Sequence, residues 1–461
     1  MGIQDAREAS YVHPSERASY EDAENKTTPE HPVRLNEPLK TRISRFLAWI
    51  FVLGVSVSLP VLAILCFLPF VGVFLVPMVV LLAYALVFGV SHLAHLLLAQ
   101  EDAPPRRPLP FLTWEWSRCL RVTRAVVVYV RQDLHLLTAF VTDWIHQRVA
   151  KSQVASSHAI NHNPRRTKQR IDVYAPLQGE HTTSRDSTPV IVFIPPQLRF
   201  LPPGRILFAS LGRNMARHLG CIVVIPDIST YPTHGRLPQQ VEDTKFVLRW
   251  VFENASRYGG DSDKIFLSGH GLSGLLALLI PIQQGVVRAR DTESFPSNPD
   301  GFIKEVPNGI RDLHIYANEI SVPELAGVIA FSPIVDVDRH IVHESRQGVH
   351  NISFVRRVCG PTQKISLQHS PSHLLYASRN FNVKDHLPRR FLIMHGGLDE
   401  SVEYVQSEMM KELLRGIGVA TVKLSVFEDL DHWGAIQGLL GRVHNSTTRP
   451  ILDQLYSFVH D

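Results

Sequence analysis

The stretch from Lys264 to Leu279, KIFLSGHGLSGLLALL, runs from a short apolar segment through a Gly-rich corner into a helix-forming segment. A strand, a sharp turn and a buried helix in that order is the setting in which a G-x-S-x-G corner presents a serine to an acyl carbon. Gly269 fills the first glycine position and His270 the variable one, so the nucleophile position falls on Gly271, which has no oxygen to offer. Ser273 lies two residues further on, where a helix has rotated by about 200° and risen by about 3 Å, away from the tip of the turn. It is the candidate substitute nucleophile, or else a small residue that lets helix and sheet pack closely. Ser268 falls three residues before Gly271, in the strand. His270 could hold a water or a carboxylate at the helix N-terminus, or be a buried hydrogen-bonding side chain.

The elements that must hold this corner occupy the C-terminal two-thirds of 461 residues. The net charge of +4 is small, and no basic stripe is interleaved with aromatics, so no nucleic-acid partner is expected. Four cysteines, Cys66, Cys119, Cys221 and Cys359, are far apart with no C-x-x-C spacing, which argues against a zinc site or a disulfide framework. Neither a metal nor a cofactor is expected. Residues 1–43 are polar and charged and predict a disordered tail. Residues 44–98 hold an apolar run from Phe46 to Leu98 whose only ionisable side chains are His92 and His95 among Asp, Glu, Lys, Arg and His. About 20 apolar residues suffice for one crossing, so the run predicts a transmembrane hairpin, roughly Phe46 to Phe67 and Val71 to Val90, reversing near Pro69. A re-entrant hairpin is the rival, given Pro60, Pro69 and Pro77. Lys40, Arg42 and Arg45 before it, and Arg106, Arg107, Arg118, Arg121 and Arg124 after it, place both ends on the cytosolic side. The expectation is a multi-pass endomembrane protein, of the endoplasmic reticulum or Golgi, with its globular part facing the cytosol.

Residues 99–169 follow as an amphipathic segment and a linker. Trp114, Trp116, Leu120, Val127, Leu134, Leu137 and Trp144 among arginines and histidines over 113–151 predict a helix pair, on the membrane surface or against the globular domain. The polar stretch 156–169 reads as the linker. From Arg170 to the end, apolar runs alternate with helical patterns, which predicts an α/β domain with a mostly parallel sheet and helices on both faces. Strands are expected at 170–174, 190–194, 221–225, 264–268, 326–331, 391–395 and 421–427. The stretch 336–388 breaks the alternation and is the candidate lid.

Several matched pieces in this domain resemble the α/β-hydrolase carboxylesterases, and within them the membrane-anchored prenylcysteine methylesterases and kynurenine-formamidase-like esterases. They are Asp172, Val173, Tyr174 and Pro176; Pro226, Asp227, Tyr231 and Pro232; and the run from Gln240 to Asp243 and Arg249 to Val251 that leads through Tyr258, Gly259, Gly260 and Asp261 to IFLSGH. The resemblance implies the α/β-hydrolase fold, with Asp399 in HGGLDESV as the acid and His432 in FEDLDHW as the base. An aspartate orienting an imidazole that removes a hydroxyl proton is the chemistry of such a pair. It also implies that FIPPQLRF stands where a backbone N–H is given to the oxyanion. Pro195 and Pro196 have no N–H, Gln197 takes the next position, and the N–H of Leu272 remains. The expectation is therefore a membrane-tethered, catalytically impaired hydrolase that binds membrane lipid and a small ester-like or lipid-like ligand. Two active readings stand beside it: ester hydrolysis through Ser273, and water activated directly by Asp399 and His432. The oligomeric state is left open.

Overall fold

The computed structural model describes residues 39–65, 71–98, 115–149, 154–161, 165, 168–176, 188–198, 204–231, 235–293, 308–360, 362–441 and 448–461. Of the expected tail over residues 1–43, residues 1–38 lie outside them, as does the reversal at Pro69, while residues 39–43 are helical and correct that part of the expectation. The chain divides into two compact units, Met1–Phe51 and Val52–Asp461. The described part of the first is the opening of helix α1, Leu39–Leu65. All other elements belong to the second.

Helix α2, Val71–Leu98, contains a segment, Leu75–His95, long and apolar enough to cross a membrane and only 6% buried. Phe46–Leu62 in α1 is a shorter apolar stretch. Leu272–Thr292 passes the same length and composition test but is 94% buried, as a core helix should be. Residues 113–151, expected as a helix pair, instead contain one unbroken helix, α3, Trp116–Val149. Its 34 residues include no Gly or Pro to interrupt it, so it extends for about 50 Å. α3 packs along α2, with Tyr84 stacked on Trp116 at 3.9 Å and Thr123 Oγ1 donating to Val87 O at 3.0 Å.

The sheet has eight strands: β1 Val154–Asn161, β2 Arg170–Pro176, β3 Thr188–Ile194, β4 Ile222–Pro226, β5 Gly260–His270, β6 Gly327–Phe331, β7 Arg390–Gly396 and β8 Thr421–Phe427. Their order is β1-β2-β4-β3-β5-β6-β7-β8, antiparallel between β1 and β2 and between β2 and β4, parallel from there on. β1 corrects the linker reading of 156–169. It is an edge strand carrying Ser156, Ser157 and His158 toward solvent, and that polarity, which protects an open edge from further pairing, is also what concealed it. β3 is buried throughout and β5 from Ile265 onward, with apolar side chains covered on both faces.

Helices α4, Ala209–Leu219, and α5, Leu237–Asn254, are followed by α6, Leu272–Glu293, which leaves the corner at the end of β5. Between β6 and β7, where the lid was expected, come four short helices: α7 Val337–Arg346, α8 Phe354–Cys359, α9 Gln363–Gln368 and α10 Pro371–Ala377. The chain closes with α11 Tyr404–Ile417, α12 Gly434–Leu440 and α13 Thr448–His460. Asp172 and Asp227, two of the matched motif residues, both bind the guanidinium of Arg205, whose Nε donates to Asp172 Oδ1 at 2.8 Å. The motif thus ties the ends of β2 and β4 to one cation.

Candidate functional site

β5 turns into α6 through Gly271, which sits at φ +57°. Its N–H donates to Phe331 O and its carbonyl accepts from Leu275, so the turn is fixed from both sides. The neighbouring glycines exist for contact: a Cβ on Gly269 would stand 2.2 Å from Ser273 O, and one on Gly274 would crowd Gly269 O and Pro333. A Cβ on Gly271, by contrast, would point at a functional group, coming 3.3 Å from His432 Nε2.

His432 reaches this point from the loop after β8. The glycines of HGGLDESV let that loop approach the end of β7, since a Cβ on Gly396 would meet Leu430 O and one on Gly397 the backbone of Glu428. The loop's approach joins His432 Nδ1 to Asp399 Oδ2 at 2.7 Å. The other carboxylate oxygen accepts the N–H groups of Ser401 and Val402 at 2.9 Å each. His395 Nε2 lies 3.3 Å from Oδ2. Burial opposes ionisation of Asp399, but His432, its hydrogen bond, His395 and the Val402 N–H outweigh it and hold the carboxyl far below the usual range. An anionic Asp399 fixes His432 as the tautomer with its proton on Nδ1 and a lone pair on Nε2, directed at the Gly271 position. This is the geometry of a general base with nothing attached to the carbon it faces.

Pro196, Gln197, Gly271, Leu272 and His432 line one cavity of about 110 Å³, with Asp399 buried behind the imidazole. Ser273 and Pro195 are not among its lining residues. Ser273 is wholly buried and its hydroxyl donates to Pro195 O at 2.8 Å. Both polar atoms of the Gln197 carboxamide are buried without a hydrogen-bond partner among the described residues. The Leu272 N–H belongs to the first turn of α6, where backbone donors lack intrahelical acceptors. Sequence reasoning missed the far wall. α7 contributes His340 and Glu344, its C-cap contributes Gln347, and α3 contributes Tyr129, Gln132 and Asp133. The residues of α7 lie in the stretch singled out as a lid, which was the available signal; for α3 the i, i+3, i+4 spacing of these three residues was masked by the apolar pattern around them.

His270 is a hydrogen-bonding side chain, with Nε2 donating to His432 O at 2.7 Å and its ring 4.4 Å from that of His432. Burial, and then the neighbouring imidazole, push its pKa down to about 3. Burial similarly takes His369 down to about 4. Both are therefore neutral in the fold but protonated near pH 6.5 once unfolded, so the stability they contribute is full above about pH 6.5 and lost as pH falls toward their folded values. Each can contribute up to about 1.4 kcal/mol per pH unit in that window. The urea midpoint of the purified protein is expected to fall between pH 7 and pH 5, and His369→Gln to flatten the fall; an unchanged midpoint in the parent would contradict it.

Residues 219–414 match the family described as BD-FAE. The chain is 22% identical over 265 residues to a probable isoprenylcysteine alpha-carbonyl methylesterase of Oryza sativa subsp. japonica, a region covering 58% of this chain and 55% of that protein. A second protein of the same description from the same organism is 25% identical over 282 residues, 61% of this chain and 57% of its own. The match therefore spans little more than half the length of these relatives. Among solved structures, the esterase LipW of Mycobacterium marinum is similar with a TM-score of 0.49 and 18% identity, over 72% of this chain and 88% of that one. With its parallel sheet, its glycine corner between β5 and α6, and the carboxylate–imidazole pair carried by the loops after β7 and β8, the chain belongs to the α/β-hydrolase superfamily.

Proposed function

We propose that this protein is a membrane-tethered hydrolase-fold protein that holds a small ester-like or lipid-like ligand beside His432 without forming an acyl-enzyme. One observation carries the reading: the position facing the lone pair of His432 at 3.3 Å is Gly271, which has no side chain. The oxyanion side supports it, because Pro195 and Pro196 offer no N–H. Ser273, the substitute nucleophile, points its hydroxyl at Pro195 O, away from the cavity. The reading is tested with a fluorophosphonate probe on the full-length protein. No labelling is expected, and labelling abolished by Ser273→Ala would replace this reading with an active serine esterase.

A second reading has its own support. The space left beside Gly271 adjoins His432 Nε2, so a water held there could be activated without a covalent step. Turnover of p-nitrophenyl acetate that is lost on His432→Ala, with no fluorophosphonate labelling, would favour it. The tether rests on the exposed apolar segment Leu75–His95; a second crossing through the shorter apolar stretch Phe46–Leu62, and a cytosolic domain in an endomembrane, belong to the proposal and follow from the flanking arginines of the sequence.

A further inference from the structure

Helix α3 has three faces. Cys119, Val122, Asp133 and Leu136 are buried, and Tyr129, Gln132 and Asp133 line the cavity. A second face carries apolar side chains that remain exposed: Val127 at 60%, Leu134 at 54% and Ile145 at 51%, with Val130, Leu137 and Val141 between them. Their spacing of three and four residues makes one stripe. The stripe begins at Thr123, which is bonded to Val87 of α2, so it continues the line along which α3 meets the apolar helix. Beside it runs the third face, with Arg124, Arg131, His135, Thr138 and Thr142, all exposed.

An exposed apolar stripe bordered by arginines and continuous with an apolar helix has the composition of a helix lying in a bilayer interface. There the apolar side meets the acyl chains, and the cations meet anionic headgroups. The stripe's continuity with the exposed apolar segment of α2 favours lipid over a protein partner. We propose that the outer stripe of α3 lies against an anionic lipid bilayer, making this helix the wall between the lipid and the cavity at His432. A ligand partitioned in the membrane is then one helix away from the imidazole. The inference rests on the membrane reading of α2 and is independent of whether Gly271 leaves the site inert.

The test uses the full chain with Cys66→Ser, the cysteines at 119, 221 and 359 being buried. It is reconstituted in nanodiscs of phosphatidylcholine with 30% phosphatidylserine, and a nitroxide is placed singly at Leu81, Leu134, Leu137, Val141, His135 or Thr142. Labels at 134, 137 and 141 are expected to be relaxed more by oxygen than by a water-soluble nickel complex, and labels at 135 and 142 the reverse. Removing phosphatidylserine, or making Arg124→Gln and Arg131→Gln together, is expected to lower the oxygen preference at all three apolar sites. Water-like relaxation at 134, 137 and 141 with a lipid-like label at Leu81 overturns the proposal while leaving the membrane reading of α2 intact; a water-like Leu81 removes both. Labels at 134 to 141 shielded from both relaxants would mean that a protein covers the stripe, and would overturn it equally.

Discussion

Gly271→Ser is expected to turn this protein into one that a fluorophosphonate labels and that cleaves p-nitrophenyl esters about 10³-fold faster than its parent. Removing the serine of an intact triad costs about six orders of magnitude in turnover, and each missing oxyanion donor about two to three. Restoring the serine while Pro195 and Pro196 still withhold an N–H therefore leaves a net gain near three orders. The geometry favours the step. A Cβ at 271 would be 3.3 Å from His432 Nε2 and 3.6 Å from Cε1, so the imidazole needs to yield by only a few tenths of an ångström, and the hydroxyl then lies within its reach. The backbone resists modestly, since φ +57° costs an L-residue about 1–2 kcal/mol, less than the stability of an ordinary domain. Adding His432→Ala should abolish the gain, and adding Pro195→His with Pro196→Gly should raise it by about another 10². If Gly271→Ser folds, with an unchanged circular dichroism spectrum, and still does not label, then Asp399 and His432 do not serve as a base toward this position and their role is structural.

The six inner strands and the helices between them were legible because burial leaves apolar runs such as VIVFI, IVVIP and FLIMH, separated by helical periodicity, and the half-exposed edge strand β8 was legible in the apolar residues of TVKLSVF. The edge strand β1 was not, because an exposed edge selects serine and histidine, the composition of a linker. The same physics hid the continuity of α3, where Trp and Arg in short alternation suggested two pieces although no Gly or Pro separates them. In the site, Gly271 could be placed by the glycine corner between a strand and a helix, whereas Asp399 and His432 were placed only by the resemblance. Their junction depends on glycines at 396 and 397 that admit the β8 loop, a cause visible in HGGLDESV only once the contact is known. The walls supplied by α7 and α3 come from elements distant in sequence, and no local pattern encodes that they meet.

Gly269→Ala should be the most destabilising single methyl that can be added to the corner, costing more than about 4 kcal/mol and leaving little folded protein. The added carbon would stand 2.2 Å from Ser273 O, 2.5 Å from its carbonyl carbon and 2.9 Å from the nitrogen of Gly274. All three are backbone atoms of the first turn of α6, so no side chain can rotate away. Relief requires α6 to slide by about an ångström relative to β5. The buried Leu275, Leu276, Leu278 and Leu279 resist that slide, because they are packed into the sheet and each contributes about 1.5–3 kcal/mol. The same motion would carry Gly271 away from His432 and Ser273 away from Pro195 O, so stability and site geometry are lost together. Gly416→Ala is the matched comparison. It lies within α11, has nothing within 4 Å of its would-be Cβ, and should stabilise by up to about 1 kcal/mol by favouring helix. Thermal unfolding of both variants against the parent in the same buffer decides the matter. Gly269→Ala unfolding at the parental temperature would mean that β5 and α6 are not held at the spacing described, and the placement of Gly271 opposite His432 would fall with it.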